Sequence, residues 1–187
     1  MMVNDASATP HSIGQTAAHA RVAEEIDRLA DRLLDVSHRI HADPELAYAE
    51  YHAHDLLCGV LEEAGLHVTR GAYGLDTAFE ARVGGGSGPT VAIICEYDAL
   101  PGIGHACGHN IIAAAGLGAA LGASSVVEEL DGNLVVLGTP AEEGGGGKIA
   151  MIDAGALLGV DAAMMVHPSS ADVESMYAIA VQRVKVT

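Results

Sequence analysis

The stretch TVAIICEYDALPGIGHACGHNIIAAAGLGAALGA, residues 90–123, decides the fold class. Residues 90–97 are an apolar run without alternation, which predicts a strand covered on both faces. Residues 111–123 are rich in Ala, Gly and Leu and predict a helix with small faces for close packing. The loop between them crowds Glu96, Asp98, His105, Cys107 and His109 together. A strand that gives way to a helix through such a loop is the unit from which α/β domains are built.

Upstream, Val22, Ile26, Leu29, Leu33, Val36 and Ile40 recur at three- and four-residue steps, one face of a helix over 16–41. Pro44 disfavours helix at Asp43 and ends it. A second helix is expected over 46–64, with Gly65 as its C-terminal cap. DTAFEARV (76–83) reads as a strand, joined to residues 90–97 through the flexible turn GGGSG. Downstream, NLVVLGT (133–139) is another buried strand. A short helix over 147–154 stops at Gly155, and DAAMMVH (161–167) is a further strand. The expectation is an α/β domain with its sheet covered by helices. Residues 1–15 read as a polar tail, 16–175 as the domain, and 176–187 as the first strand of something further.

Composition narrows the function classes. The formal net charge of -16 argues against nucleic acid, whose phosphates need clustered Lys and Arg. No apolar run reaches the roughly 20 residues of a membrane helix. The first residues lack the basic-then-apolar pattern of a secretory signal. Three cysteines without an export signal suggest reduced thiols and a cytoplasmic location. Cys58 and Cys95 lie in apolar stretches and read as buried small hydrophobes. Cys107 has polar, titratable neighbours.

Four features fall at the C-terminal ends of expected strands, where sites gather in α/β sheets. They are Glu96 with Asp98, the His105–Cys107–His109 cluster, Glu142 with Glu143, and His167. Each alone has a plainer reading: a turn residue, a solvated glutamate, a histidine ending a strand. Their joint placement after apolar strands favours a common site. Imidazole, thiolate and carboxylate are the ligands zinc takes. Adjacent glutamates that leave the strand can divide the work, one binding metal and the other acting as general base. A thiol nucleophile at Cys107, with His105 or His109 as base, leaves Glu142, Glu143 and His167 without a purpose. GGGGK does not complete a P-loop, because Ile149 follows Lys148. The zinc-deaminase and Gly-x-Ser-x-Gly patterns are absent.

With these motifs in order, HADPELAYAE, EYDALP, HACGHN, PAEEGGGGK and VHP, the chain resembles the M20 family of metallopeptidases and amidohydrolases. The short link EYDALPGIGHACGHN is most similar to its aminoacylase-1-like protein 2 branch. The resemblance covers residues from about 20 onward. It implies Cys107, His109, Glu143 and His167 as metal ligands, Glu142 as general base, and Asp98 as a group orienting a ligand. It gives His105 no role, puts Asn110 where many members have Asp, and puts Glu96 where peptidase branches have a liganding His. It further implies two divalent ions, zinc foremost and manganese or cobalt as alternatives. They would activate water against an amide in a dipeptide, N-acyl amino acid or aminobenzoyl-glutamate-like substrate. Family members are about twice as long, with an inserted lid that also makes a homodimer and a later liganding histidine. The expectation is therefore the N-terminal half of an amidohydrolase, inactive as residues 1–187 alone. The alternative is a catalytically inactive metal-binding or interaction fragment.

Overall fold

The computed structural model describes residues 14–172. In chain order these form α1 (Gln15–Ala42), α2 (Tyr51–Glu63), β1 (Val68–Arg70), β2 (Phe79–Gly84), β3 (Thr90–Glu96), α3 (His109–Ser124), β4 (Asn133–Thr139), α4 (Gly147–Asp153) and β5 (Ala162–Met164). The expected tail falls almost wholly, and the strand at 176–187 entirely, outside the described residues.

The strands make one mixed sheet in the order β1-β2-β4-β3-β5. β1, β2 and β4 pair antiparallel, while β3 lies parallel to both β4 and β5. Helix α3 is the crossover from β3 to β4, as a parallel pair requires.

Alternation along the strands separates two cores. Phe79, Ala81, Ile93, Cys95, Leu134 and Val136 face one way and pack with Val36, Ile40, Leu57, Leu61 and Leu117. Ala92, Val135 and Leu137 face the other way and meet Met151 and Ala156. Three helices thus cover the first face, and α4 with its following loop covers part of the second. Two glycines allow the closest approaches. Gly138 leaves room for the Phe79 ring, and Gly116 of α3 lies against Cys95 and the Ile94 carbonyl. Phe79 in turn stacks on Tyr97, with ring centroids 6.2 Å apart and planes at 8°.

Several boundaries differ from expectation. Helix α2 starts at Tyr51 rather than residue 46, because residues 45–50 are otherwise engaged. The Glu45 carboxylate accepts the N–H groups of His52 and Ala53, each at 2.9 Å, and caps the helix from outside. Leu46 bridges to Ala99. β2 starts at Phe79 because residues 75–78 turn, with Ala78 N–H donating to the Leu75 carbonyl. The short edge strand β1 has no counterpart among the expected elements. The strand read at 161–167 pairs only over Ala162–Met164, so His167 lies in the irregular chain beyond it.

Candidate metal centre

The register of β3 with β4 runs from Thr90 opposite Asn133 to Glu96 opposite Thr139, so the two strands end level. The segments that leave them, 97–109 and 140–147, emerge side by side. Tyr97 turns back into the core and Asp98 is buried at the rim. Helix α3 begins at His109, two residues earlier than expected, behind Gly108 in the left-handed region at φ 79.

His109 is the hub. Its ring is buried, and Nδ1 lies 3.0 Å from Asp98 Oδ1. The other oxygen of Asp98 accepts the Glu143 backbone N–H at 2.9 Å. Nε2 faces three more carboxylates, Glu96 at 3.4 Å, Glu143 at 3.7 Å and Glu142 at 3.8 Å. It forms a hydrogen bond to none of them, nor to any other described residue. Glu96, His109 and Glu142 each offer a ligand atom within 4.8 Å of the others. The Cys107 thiol lies beside the Glu143 carboxylate. The His167 ring lies edge-on to His109, with centroids 6.5 Å apart. Cys107, Glu143 and His167 thus lie near His109 but outside the group formed by Glu96, His109 and Glu142.

Glu96 takes a larger part in the site than its place in the sequence suggests. It is buried, it belongs to the tightest donor group, and its other oxygen pairs with the Lys148 ammonium from α4. Its position at the end of an apolar strand is the available signal. Asn110 turns away, its amide donating to Ser37 Oγ on α1 at 2.9 Å. His105 is buried with its ring toward His41, at 6.3 Å between centroids.

The electrostatics follow from crowding acids around one imidazole. Burial and then the neighbouring Glu96 charge hold Glu142 above the ordinary carboxylate range. Burial alone would raise Asp98 too, but the His109 bond and the backbone donors of Glu143 and Glu142 outweigh it and hold Asp98 low. Burial works against a charged His109, yet its bond to Asp98 prevails and raises it. The Cys107 thiol is pushed up to about 11, first by the adjacent Glu143 carboxylate and then by burial.

These residues fit a divalent cation. A buried ring nitrogen without a partner costs about 1–3 kcal/mol, and carboxylates gathered on one point repel each other. A cation answers both, and the Asp98–His109 bond fixes the ring as metal-ligating histidines require. The class so defined is an α/β domain with a candidate cation site at the ends of parallel strands.

The family model for Peptidase family M20/M25/M40 matches residues 92–186, and the chain belongs to that family. It is 46% identical over 162 residues to the Xaa-Arg dipeptidase of Mus musculus, covering 80% of this chain and 38% of that protein. It is 32% identical over 175 residues to thermostable carboxypeptidase 2 of Saccharolobus solfataricus, covering 84% and 44%. The chain thus spans less than half the length of these relatives. Among solved structures it resembles the YXEP protein of Bacillus subtilis, a dinuclear metal binding peptidase from the M20 family. The TM-score is 0.65 at 29% identity, covering 73% of this chain and 42% of that one. No helix among the described residues is long and apolar enough to cross a membrane.

Proposed function

We propose that the complete protein carrying this chain is a cytoplasmic metal-dependent amidohydrolase. Its substrate would be a small amide: a dipeptide, an N-acyl amino acid or an aminobenzoyl-glutamate-like conjugate. The observation that carries this reading is the buried, partnerless His109 Nε2 facing three carboxylates within 3.8 Å. In this reading Cys107, His109, Glu143 and His167 hold the metal, Glu96 joins them at the strand end, and Asp98 orients His109. Two divalent ions, zinc foremost, supply carbonyl polarisation and a lowered water pKa when bound.

The chain's own residues do the rest. Glu142 is the most exposed carboxylate of the group, with 43% of its side chain open to solvent, against 20% for Glu143 and 2% for Glu96. It therefore meets substrate and water where Glu96 cannot. Its raised pKa makes it a stronger base than an ordinary glutamate, suited to taking the proton of the attacking water. Asp98 holds the His109 ring with Nε2 turned to the acids. A homodimer through a lid beyond this chain belongs to the same reading, as do Xaa-Arg-like dipeptide substrates, by analogy with the mouse relative.

The deciding experiment is Glu142→Gln in the complete protein. Zinc content should match wild type while dipeptide hydrolysis falls by a factor of at least about 100, within the range general bases contribute. Retained turnover would refute the assignment.

A further inference from the structure

The turn carrying Glu142 and Glu143 is fastened by residues about ninety positions earlier. Glu50 is completely buried. Its Oε1 accepts the backbone N–H groups of Tyr48 and Ala141, both at 2.9 Å, and its Oε2 accepts the Thr77 hydroxyl at 2.8 Å. The Tyr48 hydroxyl reaches over the same turn and donates to the Gly145 carbonyl at 2.7 Å. A side chain at Gly145 would collide with the Tyr48 ring. The turn is therefore shaped to receive that ring.

Both anchored backbones are unusual. Tyr48 (φ 62) and Ala141 (φ 58) occupy the left-handed region without being glycine. Such conformations persist only where surrounding contacts over-determine them, and they cluster at functional sites. At Ala141 the consequence is direct. Consecutive side chains on a continuing strand point to opposite faces. The left-handed step at Ala141 takes the chain off the line of β4, and Glu142 and Glu143 both come within 3.8 Å of His109. The segment that supplies Tyr48 and Glu50 is itself tied to the other site loop, since Ala99 N–H donates to the Glu45 carbonyl at 2.8 Å.

We propose that Tyr48 and Glu50 are positioning residues that set the Glu142 carboxylate by holding the Ala141 turn from both ends. Glu50 fixes the strained N–H at the start of the turn, and Tyr48 fixes the carbonyl at its far side. This inference rests on Glu142 being the general base.

The test uses the complete protein, a dipeptide with C-terminal arginine as substrate, zinc analysis and thermal melting. Tyr48→Phe removes one hydroxyl from a half-exposed ring, so folding is preserved. It should lower kcat about tenfold, a fraction of what a 1 Å misplacement can cost, with KM, zinc content and melting temperature unchanged. Glu50→Ala should lower kcat further, and Glu50→Gln, which keeps an acceptor for both backbone donors, should restore most of it. In a Glu142→Gln background, Tyr48→Phe should change the residual rate no further, because the hydroxyl acts through that carboxylate. Wild-type kcat in Tyr48→Phe, or a lower melting temperature at unchanged kcat, overturns the proposal while Glu142→Gln stays inactive. Turnover by Glu142→Gln would instead remove the base on which it rests.

Discussion

Asp98 ties His109 to the turn that follows β4: one carboxylate oxygen is 3.0 Å from the ring Nδ1, and the other accepts the Glu143 N–H at 2.9 Å. One buried side chain thereby sets the orientation of an imidazole and the place of an acid 45 residues further on. Asp98→Asn keeps the shape but offers only one accepting oxygen. It should weaken zinc binding about 10- to 100-fold, as loss of such outer partners does. Competition titration against a chromogenic chelator measures this. Wild-type affinity would show that the bond to His109 is dispensable.

The metal-free protein should be more stable in mildly acidic than in mildly alkaline solution. His109 is raised above its ordinary 6.5, so its contribution is complete below that value and fades as pH rises through the folded pKa. Glu142 and the buried Glu50 are raised as well and act in the same direction, while His105, lowered by burial, opposes them in part. Asp98 is lowered from 3.8, so its contribution is lost only in stronger acid. Zinc reverses the trend on the neutral side, because its ligands bind it deprotonated. Melting curves with chelator and with zinc, at two pH values, should slope in opposite directions.

Zinc uptake near neutral pH should release a proton from Cys107. Its thiol, pushed up to about 11 beside Glu143, is protonated in the metal-free protein, and a coordinating thiol is not. Calorimetric titrations in buffers of different ionisation enthalpy count the protons. Cys107→Ser should lower the count by about one. An unchanged count would remove Cys107 from the ligand set.

Gly116→Ala sets two effects against each other. Alanine in mid-helix gains about 1 kcal/mol in propensity. Here the new Cβ would sit 2.6 Å from Cys95 Sγ and 3.0 Å from the Ile94 carbonyl oxygen, and the carbonyl is held in the sheet. Overpacking of that kind costs about 1–3 kcal/mol, so a net loss of stability is expected in chemical denaturation. A gain would mean that α3 can slide on β3.

Much of this is legible in the sequence because strongly apolar strands mark their own ends. Residues 90–97 announce a covered strand, and Asp98, Cys107, His109, Glu142 and Glu143 follow such runs closely. Glu96 is harder to read, because its position points to a ligand in other branches, whereas its placement here depends on Lys148, brought from α4 by a turn. The strand β1 escapes notice because VTR is three residues long and two of them are exposed, leaving no pattern to read. Glu50 is invisible for a different reason. A glutamate entering a helix looks solvated, and only the folded chain shows that its partner is Ala141.

The level ends of β3 and β4 also bear on folding. Thr139 Oγ1 donates to the Cys95 carbonyl across 44 residues of chain, and the proposed ligands are held together only once that parallel pairing, with α3 as its crossover, is complete. Such non-local pairing is slow, because loop-closure entropy is lost before contacts compensate. Cation capture by the proposed ligands should therefore serve as a clock. In a refolding experiment, uptake of zinc marks the zippering of these two strands, later than collapse and later than the helices.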